Sequence, residues 1–125
     1  MDQTATILVV DDDPSYNALM QLVLSGQGYA VETARGGAEA IELVSKKGAD
    51  LILLDIMMPD VDGFQVLRHL KASTDFCRIP VFVISALTDP ETKRNVLSLG
   101  ADEFFDKAVD LEELKGRIVG RLKVP

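Results

Sequence analysis

Four reactive groups in this chain stand directly behind short apolar runs. Asp11, Asp12 and Asp13 follow Ile7-Leu8-Val9-Val10, and Asp55 follows Leu51-Ile52-Leu53-Leu54. Ser85, with the small Ala86 after it, follows Val81-Phe82-Val83-Ile84, and Lys107 comes shortly after the weaker run Glu103-Phe104-Phe105. Taken singly, each has an ordinary use. An aspartate run ahead of a helix caps it and faces the positive end of its dipole. An aspartate behind a strand serves a turn, a serine caps, and a lysine is solvated. Taken together they are a carboxylate cluster, a hydroxyl and an ammonium. Carboxylates brought close repel one another, and a cation relieves the repulsion. Hard oxygen donors of this kind suit Mg²⁺, which keeps several waters and shares a phosphate oxygen.

Whether these groups meet depends on the elements that carry them. The runs at 7–10, 51–54 and 81–84 are continuously apolar and rich in branched residues, as strands buried on both faces of a parallel sheet are. Tyr29 to Thr33 alternates, as an edge strand does. Helical spacing fills the gaps. Tyr16, Leu19, Met20, Val23 and Leu24 recur after Pro14, and Gly26 and Gly28 end that helix. The second helix runs from about Gly36 to Lys47 with Ala38, Ile41 and Val44 inward, and the third from Gly63 to Ala72 with Phe64, Leu67 and Leu70 inward. The fourth starts near Pro90, carries Val96, Leu97 and Leu99, and ends at Gly100. The fifth carries Leu111, Leu114, Ile118 and Leu122.

Five β-α units in this order predict an α/β fold. It is a doubly wound, five-stranded parallel sheet of flavodoxin-like strand order 2-1-3-4-5, with five helices on its two faces. In such a sheet ligands bind beyond the carboxyl ends of the strands, where strand order reverses. That edge carries Asp11, Asp12, Asp55, Ser85 and Lys107, and strands 1 and 3 are neighbours.

Composition bounds the rest. A chain of 125 residues, 47% hydrophobic, suffices for one domain with its own core, so residues 1–125 read as a single domain, either alone or as the N-terminal part of a longer protein. A net charge of −7 repels nucleic-acid phosphates and argues against direct nucleic-acid binding. Cys77 is the only cysteine, which excludes an intrachain disulfide and a CxxC zinc site and fits a reducing, cytoplasmic compartment. Neither a signal peptide nor an apolar stretch of bilayer length stands in the sequence, so no membrane is expected.

The segments ILVVDDDP (7–14), LILLDIMMPDVDGF (51–64), VFVISA (81–86) and GADEFFDK (100–107) resemble the response-regulator receiver domain over essentially the whole chain. The DIMMPDVDG stretch is the most specific part. The resemblance implies that Asp11 and Asp12 hold Mg²⁺, that Asp55 accepts a phosphoryl group, and that the Met57 backbone carbonyl completes the metal site. It implies that Ser85 is the switch hydroxyl that bonds the phosphoryl group, that Lys107 pairs with a phosphoryl oxygen, and that Phe104 is the switch aromatic. The expected partners are a histidine kinase or phosphotransfer protein and an output domain or effector, reached through the face formed by helix 4, strand 5 and helix 5. A phosphorylation-dependent homodimer also fits. The chain would catalyse only its own phosphoryl transfer and dephosphorylation and would not be an enzyme in the turnover sense.

One departure from the family stands out. Proline usually follows the lysine, on a cis bond, and here the residue is Ala108. That leaves open whether the Lys107–Ala108 bond is trans in a reshaped loop. Three rivals remain. A haloacid-dehalogenase-type phosphatase shares the strand-end aspartate but wants a second aspartate at position 57, where Met57 stands. A flavodoxin-like binding module wants a Ser/Thr/Gly loop where Asp11 to Asp13 stand. A receiver that no longer phosphorylates would have lost part of the acceptor set. Asp13 reads as a capping or surface acid, and His69 as a solvated helix residue.

Overall fold

The computed structural model describes residues 4–57 and 63–122. The middle of the DIMMPDVDG stretch, at 58–62, therefore lies outside the described residues. Along the chain run β1 (Thr6–Val10), α1 (Pro14–Gly26), β2 (Ala30–Ala34), α2 (Gly37–Lys47) and β3 (Leu51–Leu54), then α3 (Gly63–Ala72), β4 (Val81–Ser85), α4 (Pro90–Ser98), β5 (Glu103–Asp106) and α5 (Leu111–Leu122). The strands form one sheet in the order β2-β1-β3-β4-β5, every neighbouring pair parallel. This is the expected doubly wound α/β architecture.

Continuous apolarity in the central strands follows from the two layers they separate. Leu8, Val10, Ile52, Leu54, Val81 and Val83 pack with Ala40 and Val44 of α2, Val66, Leu67 and Leu70 of α3, and Val96 of α4. Alternate residues Ile7, Val9, Leu51, Leu53, Phe82 and Ile84 pack the other way, with Met20 and Leu24 of α1 and Leu114 and Ile118 of α5. Successive strand residues point to opposite faces, so a strand covered on both sides needs an apolar side chain at every position.

The helix faces differ in detail from the pattern read in sequence. In α1 the buried positions are Asn17, Met20 and Leu24, and Leu19 is exposed. In α2 the inward positions are Gly37, Ala40 and Val44, while Ala38 faces water. Leu97 of α4 is exposed too. Each of these helices is narrower in its buried stripe than its apolar content suggests, because only residues spaced three and four apart share a face. The helix starts are as expected. Asp13 caps α1 by accepting the Ser15 N–H, with Pro14 following it. Asp89 caps α4 through the Thr92 N–H and hydroxyl. His69 lies exposed on α3. Among the described residues no helix is long and apolar enough to cross a membrane.

Candidate functional site

Four strand ends meet at the carboxyl edge of the sheet, and each ends in the same local device. A side-chain oxygen accepts the backbone N–H two residues on. Asp11 Oδ1 accepts from Asp13 at 2.9 Å, Asp55 Oδ1 from Met57 at 3.0 Å, Ser85 Oγ from Leu87 at 3.0 Å, and Asp106 Oδ1 from Ala108 at 2.9 Å. These turns are what short polar side chains form where a strand must stop and reverse. In the three aspartates this fixes one carboxylate oxygen and so aims the other.

For Asp11 and Asp55 the second oxygen points at Lys107. The Lys107 ammonium lies 2.7 Å from Asp11 Oδ2 and 3.2 Å from Asp55 Oδ2. Its contact to Asp55 is a hydrogen bond, whereas that to Asp11 is an ion pair only, and the buried Asp11 Oδ2 accepts no hydrogen bond. Asp11 and Asp55 are almost wholly buried, at 1% and 6% exposure, and Asp12 is more open. The backbone places Lys107 as firmly as the acids. Its N–H donates to the Ser85 carbonyl at 3.0 Å, and the Val109 N–H closes a turn on the Asp106 carbonyl at 2.9 Å. The Lys107–Ala108 bond is trans, so the loop reaches this arrangement with Ala108 in place of proline.

Burial pushes the Asp11 carboxyl above its usual range, and the Asp55 charge adds to the shift. Lys107 and the Asp13 N–H pull it back only in part. For Lys107 burial works against the ammonium, but the Asp11 and Asp55 carboxylates outweigh it and raise its pKa. A tyrosine completes the corner. The ring of Tyr16, in the first turn of α1, lies with its centroid 4.6 Å from Lys107 Nζ. Its hydroxyl is pushed up to about 12, by burial first and by the Asp11 and Asp55 charges, against the pull of Lys107.

Carboxylate oxygens of Asp11, Asp12 and Asp55 all lie within 4.8 Å of one another, which makes them a cluster that could hold a metal ion. The donor chemistry fits a hard divalent cation. Three carboxylates supply oxygen only, two of them are buried, and one buried oxygen has no hydrogen bond. Met57 stands on the rim with an exposed side chain. Ser85 is fully buried beside this edge. Phe104 is half-buried and packs against the core cluster that contains Val96 and Ala101.

Two residues of the site escaped the sequence reading. Asn17 is buried, and its Nδ2 donates to the carbonyls of Asp11 at 2.8 Å and Ala34 at 3.4 Å. It ties the end of β1 to the end of β2. Its signal was available, as a polar residue in register with Met20 and Leu24 on an inward stripe. Tyr16 was read as core alone. Gly63 opens α3 so close to the end of β3 that an added Cβ would lie 2.3 Å from Ile56 Cα and 2.6 Å from the Asp55 carbonyl oxygen. Only glycine lets α3 approach there.

With this geometry in hand, the likenesses to known proteins agree with one another. A sequence model of the response regulator receiver domain matches residues 7–119. The chain belongs to the response-regulator receiver family. It is 38% identical over 117 residues to the transcriptional regulatory protein TrcR of Mycobacterium tuberculosis, covering 94% of this chain and 45% of that one. It is equally identical to response regulator MprA of Mycobacterium leprae, covering 94% and 50%. The receiver thus spans about half the length of these curated relatives. A solved structure of the chemotaxis protein CheY4 of Vibrio cholerae superposes with a TM-score of 0.90 at 29% identity, covering 96% of this chain and 100% of that one. As a member of that family, the receiver is a phosphorylatable module of two-component signalling.

Proposed function

We infer that Asp55 is the phosphoacceptor of this receiver and that Asp11, Asp12, Asp55 and Lys107 form its acceptor site. The supporting observation is the arrangement of one ammonium against two buried carboxylates, with a third carboxylate within 4.8 Å. A carboxylate oxygen of Asp55 attacks the donor's phosphorus and forms the P–O bond of an aspartyl phosphate. The bond from phosphorus to the leaving atom breaks, and its electron pair departs with the leaving group. That group is a histidine imidazole from a kinase or phosphotransfer protein, or acetate from acetyl phosphate. Lys107 meets the charge on the transferring group, and the fixed turns hold both partners so that little reorganisation is needed.

Mg²⁺ held by Asp11, Asp12 and Asp55, with the Met57 backbone carbonyl, would supply charge neutralisation at the phosphoryl oxygens. Ser85 then exchanges its bond with the Leu87 N–H for a phosphoryl oxygen, and Phe104 follows it inward, changing the α4, β5, α5 face. On this reading the chain works in the cytoplasm, residues 1–125 act as one receiver domain, and an output domain or effector protein reads that face. Relatives named as transcriptional regulators fit such an output. The chain turns over no external substrate, since the exposed Met57 offers no general acid beside Asp55.

Incubation with Mg²⁺ and acetyl phosphate should add one acid-stable, base-labile phosphoryl group, detected by intact mass. Asp55→Asn should abolish it, and label that persists in that variant overturns the assignment.

A further inference from the structure

Among the described residues the Lys107 ammonium meets two carboxylates and one aromatic ring. Both carboxylates are shared. Asp11 and Asp55 belong to the cluster that could hold a metal, and Asp55 is the group that reacts. Charge they commit elsewhere is charge they no longer offer to Lys107. The Tyr16 ring has no such second duty. It lies 4.6 Å from Nζ and packs against the core on the α1 side of the sheet. The electron-rich face of an aromatic ring attracts an ammonium, most strongly where water is kept away.

The ring is also fixed by the same corner that fixes the acids. Asp11 Oδ1 accepts the Asp13 N–H, Asp13 Oδ1 accepts the Ser15 N–H, and Asn17 Nδ2 donates to the Asp11 carbonyl. Tyr16 stands between the last two of these residues, in a capped first turn that leaves α1 little freedom to shift relative to β1. From the other side, Lys107 is anchored by its N–H on the Ser85 carbonyl. The ammonium thus lies between two acids that change their commitments and one ring that does not.

We propose that Tyr16 is a positioning residue for phosphoryl transfer, whose ring face holds the Lys107 ammonium in reach of the acceptor while Asp11 and Asp55 are engaged elsewhere. This rests on Asp55 as the acceptor. The part played by the ring belongs to its face and not to its hydroxyl or its bulk. Tyr16→Phe keeps the face, Tyr16→Leu keeps much of the apolar volume without it, and ring fluorination at nearly constant shape drains electron density from it stepwise.

The test is the initial rate of labelling by acetyl phosphate at saturating Mg²⁺. It compares wild type, Tyr16→Phe, Tyr16→Leu and chains carrying mono-, di- and trifluorophenylalanine at position 16, each checked for an unchanged melting temperature. Tyr16→Phe should retain the wild-type rate. The rate should fall progressively with fluorine number, reaching about three- to tenfold at three fluorines and in Tyr16→Leu, the range expected for a partly desolvated cation–π contact. A merely structural tyrosine would give a flat fluorine series. A flat series, or a Tyr16→Phe as slow as Tyr16→Leu, overturns the role of the ring. Asp55→Asn run alongside separates the two readings. If it still takes label, the acceptor is wrong, whereas a flat series in a chain whose label depends on Asp55 counts against Tyr16 alone.

Discussion

Aspartates stand at both ends of this sheet, and the two ends treat them in opposite ways. At the amino-terminal edge, Asp50 Oδ2 accepts the Thr6 N–H at 2.7 Å and Asp102 Oδ2 accepts the Val81 N–H at 2.8 Å. Asp102 also pairs with Lys71 and, through its other oxygen, with Arg121. Strands of a parallel sheet begin with N–H groups that lack a partner, and a carboxylate is a natural acceptor for them. At the carboxyl edge Asp11 and Asp55 each give one oxygen to the backbone N–H two residues on and leave the other to the site. There Asp11, Asp12 and Asp55 face one another, and Lys107 is the cation that meets two of them. The same residue type is structural where it closes the start of a strand and chemically loaded where buried acids are left facing one another. The loaded edge is where negative charge is left that a cation could neutralise.

The largest effect that tests this contrast belongs to the satisfied edge. Asp102→Ala removes the acceptor for Val81 N–H and the carboxylate partner of Lys71 and Arg121, so the fold should lose about 1–3 kcal/mol. Urea denaturation measures the loss. Labelling by acetyl phosphate should survive wherever the variant is folded. Unchanged stability would show that Asp102 is as expendable as a surface acid.

At the loaded edge the sign should reverse. Asp11→Asn keeps the shape and removes a buried charge, so the metal-free fold should gain about 1 kcal/mol, the usual scale for relieving a functional site, while labelling collapses. The pH dependence follows from the raised pKa of Asp11, caused first by burial. A carboxyl that binds its proton more tightly folded than unfolded favours the folded state below the unfolded pKa of about 3.9. That contribution is lost as pH rises through the higher folded value. The advantage of Asp11→Asn over wild type should therefore be full near neutrality and vanish in acid. An advantage that persists unchanged at pH 3, or a variant less stable than wild type at pH 7, contradicts the picture of Asp11 as a loaded acid.

The comparison also explains what could be seen in sequence. The central strands were legible because burial on both faces forces unbroken apolar runs, and strand order then brought Asp11, Asp12, Asp55 and Lys107 to one edge. Helix faces were less legible. Leu19 and Leu97 are apolar and exposed, so periodicity counted them inward, and Asn17 is polar and buried, so it was passed over. Tyr16 lies on the expected inward stripe, and nothing in its spacing separates a core tyrosine from one whose ring faces an ammonium. The turns at Asp11, Asp55, Ser85 and Asp106 were legible in residue type, but which N–H each one accepts depends on the backbone.

The smallest expected effect concerns the fourth of those turns. Asp106 Oδ1 accepts the Ala108 N–H at 2.9 Å, on the residue that follows Lys107. Proline at 108 has no N–H to give, and a proline placed where the native N–H was bonded destabilises by more than its stiffness contributes. Ala108→Pro should therefore lower stability by about 0.5–1 kcal/mol, the net value of one such bond. Asp106→Ala removes the same bond from the other side while leaving residue 108 alone. If the bond carries the effect, the two losses overlap, and the double variant is less destabilised than their sum. The coupling is read from denaturation midpoints of the four chains at constant m-value. Strictly additive losses would mean that the turn does not hold the loop. A gain in stability on Ala108→Pro would mean that the loop suits proline better than the alanine it carries, and that Lys107 is held in place by its side-chain partners rather than by its backbone.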